Sequence, residues 1–104
     1  MVIYEVNLAI EEEIYPQFKL WLKGHIGEML QFPGFMQATI LKPENEDLNG
    51  KKKLTVHYQL KNRMALEIYF EKFAAIMREQ GTKLFNCKFS SERRIFEIEE
   101  TISK

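Results

Sequence analysis

An α+β sandwich with the element order βαββαβ is the fold this 104-residue sequence predicts. Three observations carry that expectation. Four segments rich in β-branched and aromatic residues alternate with two segments whose apolar residues recur at three- and four-residue steps. The breaks between segments fall on turn and cap signals, Pro33-Gly34, Asn49-Gly50 and Gly81. The length suits one sheet under one layer of helices, a single domain over residues 1–104.

Val2 to Ile10 reads as the first strand. Its alternate positions Val2, Tyr4, Val6 and Leu8 make one strongly apolar face, while Ile3, Glu5, Asn7 and Ala9 make a mixed one. The acidic triplet Glu11, Glu12, Glu13 followed by Pro16 marks a helix start, where the macrodipole is positive and a missing amide costs nothing. Phe18, Trp21, Leu22, His25, Ile26, Met29 and Leu30 then form one wide stripe, ended at Pro33-Gly34. Gly24 and Gly27 lie within this helix and suggest the close approach of another backbone.

Phe35 to Lys42 is the second strand. A polar connection, Pro43 to Gly50, closes on Asn49-Gly50, a hairpin signal. Lys51 to Leu60 is the third strand, with Leu54, Val56, Tyr58 and Leu60 on one face and Thr55, His57 and Gln59 on the other. Asn62 is placed to cap a second helix whose stripe is Leu66, Tyr69, Phe70, Phe73, Ala74 and Met77, and which stops near Gly81. Ser90 to Glu99 is the last strand. Right-handed crossovers then give a ferredoxin-like antiparallel sheet ordered 4-1-3-2, with both helices on one face.

The apolar faces of the first and third strands belong under the helices. The other sheet face is too mixed for a closed core and too apolar for full solvation, because Ile3, Ala9, Met36, Ala38, Ile40 and Ile95 fall beside Glu5, Asn7, Thr55, His57, Gln59 and Arg93. Pairing that face with a twin sheet resolves the conflict, so a homodimer is expected.

Charge and composition exclude several classes. Fifteen basic residues balance fifteen acidic ones, which leaves no surplus to displace counterions from nucleic acid. The aromatic residues of the first and third strands have the parity of the helix side, opposite to an RNA-recognition sheet. No apolar run approaches 18 residues and no basic amphipathic stretch suits a membrane surface. The lone Cys87 fits a reducing, cytoplasmic setting and, between Phe85 and Phe89, reads as a buried or half-buried structural thiol. His25 and His57 are far apart and make no metal-ligand set with it. The glycines are too scattered for a phosphate loop. Lys51, Lys52 and Lys53 follow the acidic Glu44, Glu46 and Asp47, so this hairpin reads as self-neutralising rather than as a phosphate clamp.

The segments Phe32-Pro33-Gly34-Phe35, Leu54-Thr55-Val56-His57-Tyr58 and Arg63 through Phe70 resemble the dimeric α+β barrel superfamily. Its members include antibiotic-biosynthesis monooxygenases and haem-degrading monooxygenases. With Trp21-Leu22-Lys23-Gly24-His25 and Arg93-Arg94-Ile95 included, the whole chain is most similar to a small bacterial family of unknown function. The resemblance implies the fold and the dimer and says little of chemistry. The haem-degrading members use a first-strand asparagine, which Asn7 could match, together with an axial histidine on the second helix. This chain has no histidine there, so no haem and no other cofactor is expected.

The chemistry-bearing residues converge between helices and sheet. Tyr4 and Tyr58 share the helix-side face, His25 lies on the buried stripe beside Trp21, and Arg94 has the same parity on the edge strand in this register. With Tyr69 and Phe73 they would line a pocket for a flat, weakly acidic molecule: His25 moves a proton, Arg94 pairs with an acidic group or enolate oxygen, Tyr58 is the third catalytic candidate, and Tyr4, Trp21, Tyr69 and Phe73 bind and stack on the rings. The plainer alternative makes His25 a hydrogen-bonded core residue or a rim residue, sends the tyrosine hydroxyls to water, and lets Arg94 snorkel or lie on the opposite face through a one-residue shift. Two functions therefore stand side by side: a small-molecule site, as in a cofactor-independent oxygenase, or a non-catalytic homodimeric interaction module. A cavity of at least about 300 Å³ favours the first, and solid aromatic packing the second.

Overall fold

In the computed structural model, which describes residues 1–44 and 49–104, β1 (Val2–Glu11) leads through a 3-10 turn (Glu12–Ile14) into α1 (Tyr15–Met29). Pro16 sits in the first turn of α1, where no intrahelical acceptor is lost. The acidic residues Glu12 and Glu13 belong to the 3-10 turn before it. β2 (Phe35–Leu41) and β3 (Lys51–Leu60) follow, and Gly50 takes the positive φ of +74° that the hairpin signal anticipates. The acidic Glu46 and Asp47 proposed to neutralise the lysines lie outside the described residues. Of those lysines, Lys52 reaches Glu12 at 4.0 Å.

The expected second helix is two helices. Asn62 caps α2 (Arg63–Lys72), its side-chain oxygen accepting from the Ala65 amide at 2.9 Å. At Phe73 the backbone leaves the helical region, with φ −127° and ψ −25°, and α3 (Ala74–Phe85) continues past Gly81. Gly81 therefore does not stop the helix. A β-carbon there would lie 3.0 Å from the Trp21 ring and 3.2 Å from that of Phe89, so the glycine admits two aromatic rings against α3. A second 3-10 turn (Asn86–Lys88) precedes β4 (Phe89–Glu97). Cys87 on that turn is exposed, contrary to the buried thiol expected from its phenylalanine neighbours.

The sheet is antiparallel with order β2-β3-β1-β4, the 4-1-3-2 topology expected. Val2, Tyr4, Leu8 and Ile10 of β1 and Leu54, Val56, Tyr58 and Leu60 of β3 are buried on one face, together with Phe18, Leu22 and Met29 of α1 and Leu66 and Tyr69 of α2. The described residues form a slab of 38 × 37 × 18 Å, and among them no layer covers the other sheet face.

Two register details correct the expected faces. Phe35 pairs with Leu60 and Gln37 with Gln59, which leaves Met36 as an extra residue in a bulge. Beyond it Ala38 and Ile40 oppose Tyr58 and Val56 and share their helix-side face, not the open one. In β4 the partner of Glu5 is Arg94, and that of Val6 is Arg93. Arg94 and Phe96 thus lie on the open face, and Arg93 and Ile95 on the helix side, the reverse of the expected parity. The anchor is Phe89, one residue before the predicted strand start, whose ring packs 4.9 Å from that of Phe18. Gly24 and Gly27 face open space within the chain and admit no neighbouring backbone.

Candidate functional site

A cavity of about 250 Å³ lies between the helices and the sheet. Its floor is Tyr4, Val6 and Leu8 of β1 with Val56 and Tyr58 of β3. α1 supplies Phe18, Trp21 and His25, α2 supplies Tyr69, α3 brings Met77, Arg78 and Gly81, and β4 adds Ser91 and Arg93. The volume falls somewhat short of the usual ligand pocket, which limits an occupant to one or two rings.

Alternation along β1 and β3 places Tyr4 and Tyr58 directly opposite each other, with ring centroids 6.0 Å apart. Tyr69 stands 6.0 Å from Tyr4, which completes a cluster of three phenols. Burial pushes the Tyr69 hydroxyl up to about 12, with the Tyr4 phenol adding and the Arg78 and Arg93 guanidinium groups opposing. The Tyr58 hydroxyl rises further, again chiefly through burial. All of this keeps both phenols protonated at neutral pH. They are hydrogen-bond donors, not bases.

His25 lies flat on Trp21, with ring centroids 4.6 Å apart and 25° between planes. Its Nδ1 is 3.4 Å from the Gln80 side-chain oxygen. That oxygen only accepts, so the contact calls for the Nδ1–H tautomer and leaves Nε2 as a lone-pair acceptor. Burial draws the imidazole below its ordinary pKa, against the weaker effects of Gln80 and Glu28, so the ring is neutral at pH 7.

Of the residues singled out in the sequence, Tyr4, Trp21, His25, Tyr58 and Tyr69 meet at the cavity. Phe73 does not. It sits at the break between α2 and α3 with its ring parallel to that of Phe32, 4.3 Å away, and closes the far end of the core. Arg94 does not either, because β4 turns it to the open face. The cationic positions belong instead to Arg93 and to Arg78, whose Nη2 donates to the Tyr4 hydroxyl at 3.3 Å. Arg78 carried no signal beyond following Met77 on the stripe. Arg93 was within reach, had Phe89 been taken as the first inward residue of the strand.

The open face carries its own polar centre. Glu5, only 5% exposed, accepts from Asn7 Nδ2 at 2.8 Å and from Arg94 Nε at 2.7 Å through one oxygen, while the other lies 2.7 Å from His57 Nε2. Thr55 donates to the Asn7 side-chain oxygen at 2.8 Å. The Asn7 hydrogen bond, followed by those of Arg94 and His57, holds the Glu5 carboxyl down at about 2 despite its burial. Ile3, Ala9, Leu41 and Phe96 surround this network. Among the described residues, no group of three or more His, Cys, Asp or Glu side chains is placed to hold a metal. Among the described residues no helix is long and apolar enough to cross a membrane.

The fold is that of ferredoxin-like α+β proteins and is similar to the folds of several antibiotic biosynthesis monooxygenases. A protein of Deinococcus radiodurans classed with those monooxygenases superposes with a TM-score of 0.74 at 17% identity, over 100% of this chain and 98% of its own. SnoaB, a cofactor-independent oxygenase from Streptomyces nogalater, gives 0.73 at 16% identity, covering 99% and 98%. The ActVA-Orf6 monooxygenase of Streptomyces coelicolor, solved with nanaomycin D, gives 0.71 at 15% identity, covering 99% and 91%. Within that class, residues 1–99 match the domain of unknown function DUF4286, and the chain belongs to this family. None of the curated proteins matches it in sequence.

Proposed function

We propose that this protein binds a small, flat, weakly acidic molecule of one or two rings in the cavity between helices and sheet, and that it works as a homodimer paired through the open sheet face. The observation that carries the reading is the composition of the cavity. Three tyrosine side chains and two guanidinium groups face a neutral imidazole across an apolar floor, with Tyr58 and Tyr69 held protonated by burial. Such a site can bind a phenol or enol, accept its proton at His25 Nε2, and stabilise the resulting anion by donors already in place. Chemistry like that of the cofactor-independent oxygenases needs no more from a protein. The anion supplies the electrons, dioxygen takes them, one oxygen atom enters the substrate and the other leaves as water. The thin slab supports the dimer, since a second sheet would cover Ile3, Leu41 and Phe96 around the Glu5 network.

Sedimentation velocity with 1-naphthol, followed at a wavelength where only the probe absorbs, tests both parts at once. The probe should co-sediment with a species of twice 12.4 kDa. A 12.4 kDa boundary would overturn the sheet pairing. Probe left behind by the protein would overturn the pocket.

A further inference from the structure

We infer that the weakly acidic occupant of the cavity also carries a group already ionised at neutral pH: a one- or two-ring aromatic carboxylate whose acid group is held between Arg78 and Arg93 beside the Tyr4 hydroxyl. The inference rests on the small-molecule reading above and adds the charge of the occupant.

The donor count is one-sided. Among the described residues no aspartate or glutamate lines the cavity, yet two guanidinium groups reach it, Arg78 from α3 and Arg93 from β4. Neither is paired with a carboxylate among the described residues. Two like charges on one apolar cavity repel each other, and a bound anion removes that cost. Arg78 already donates to the Tyr4 oxygen, so the Tyr4 proton is left to point elsewhere. It has no acceptor among the described residues, and the same is true of Tyr58 and Tyr69. These three side chains are 1%, 3% and 3% exposed. The one fully buried, unpartnered side-chain polar atom among the described residues is the Tyr15 hydroxyl, so the Tyr58 and Tyr69 hydroxyls are not sealed in but open onto the cavity they line, where an occupant can meet them. The neutral His25 ring offers a single lone pair at one end, so the remaining donors call for an occupant rich in acceptors. A carboxylate supplies up to four acceptor positions in the planar geometry that guanidinium groups match. The two arginines are themselves exposed, which puts the charged end of the ligand at the solvent side and its rings against Trp21 and the phenols.

Calorimetric titration with 2-naphthoate and with 2-naphthamide, which have the same shape and differ in charge, is the test. The acid should bind about ten- to a hundredfold more tightly, as expected for one strong charge-assisted contact. Arg78→Gln combined with Arg93→Gln should bring the acid down to the affinity of the amide and abolish the salt dependence of acid binding. Amide binding by the double variant also shows that its cavity is intact. Equal binding of acid and amide by the native protein, or unaltered acid binding by the double variant, would overturn the clamp and leave the pocket standing. Binding of neither compound by the folded native protein would overturn both.

Discussion

Replacing Glu5 by Gln tests the polar centre of the open sheet face. The carboxylate takes three short hydrogen bonds, from Asn7, Arg94 and His57. A carboxyl held at about 2 against 4.5 corresponds to roughly 3 kcal/mol at 1.36 kcal/mol per pH unit. Arg94 is 65% exposed in the single chain, so screening brings the expected effect to about 1–2 kcal/mol. The sign follows from the depressed pKa. The folded protein binds the Glu5 proton less readily than the unfolded chain does. The stabilisation is therefore complete above pH 4.5 and is lost as pH falls from 4.5 towards 2. Urea unfolding of E5Q at pH 7 should give a midpoint lower by about 1 M, for a denaturant slope near 1–2 kcal/mol per M. The gap between the two proteins should close by pH 2. E5Q that matches the native protein at pH 7, or a gap that stays constant down to pH 2, would refute the argument that these three bonds hold the carboxylate.

Two further substitutions probe the helix side. Gly34→Ala puts a side chain at φ +84°, and its β-carbon would run into that of Ala65, in a turn tied by the Lys61 amide to the Gly34 carbonyl at 2.8 Å. It should destabilise by about 3 kcal/mol, strain and clash together, and unchanged urea stability would show that the turn can relax. His25→Phe keeps the stack on Trp21 and removes the titration. Because burial lowers the imidazole pKa, the native protein should lose stability relative to H25F as pH falls below 6.5, and parallel pH curves would place His25 in water.

Element order, sheet order and the inward faces of β1 and β3 were all legible in the sequence, because each of those central strands has one face that is plainly more apolar. Asn62 was legible for a different reason, as a local cap whose partner is three residues away. The edges were harder. In β4 both alternate sets mix arginine with large apolar residues, so periodicity cannot choose between Arg93 and Arg94, and the deciding contact, Phe89 on Phe18, spans most of the chain. The break at Phe73 leaves no mark in a stripe that continues to Met77 on either side of it. The candidate site was accordingly legible in its aromatic half and not in its cationic half, since aromatic residues lie on well-patterned elements and both arginines sit at positions fixed by tertiary packing.

The bulge at Met36 bears on how lengths vary among relatives of this chain. Met36 occupies the one position of β2 that pairs with no residue of β3. A chain lacking it would carry Phe35 and Gln37 straight onto Leu60 and Gln59, as an unbroken ladder with every downstream side chain on its present face. Removal of Ala38 would have the opposite effect, turning Thr39 inward and Ile40 outward in a single step. A one-residue gap is therefore silent at the first position and inverting two residues later. Alignments of β2 should place their gaps at the bulge, where the strand already has a residue to spare.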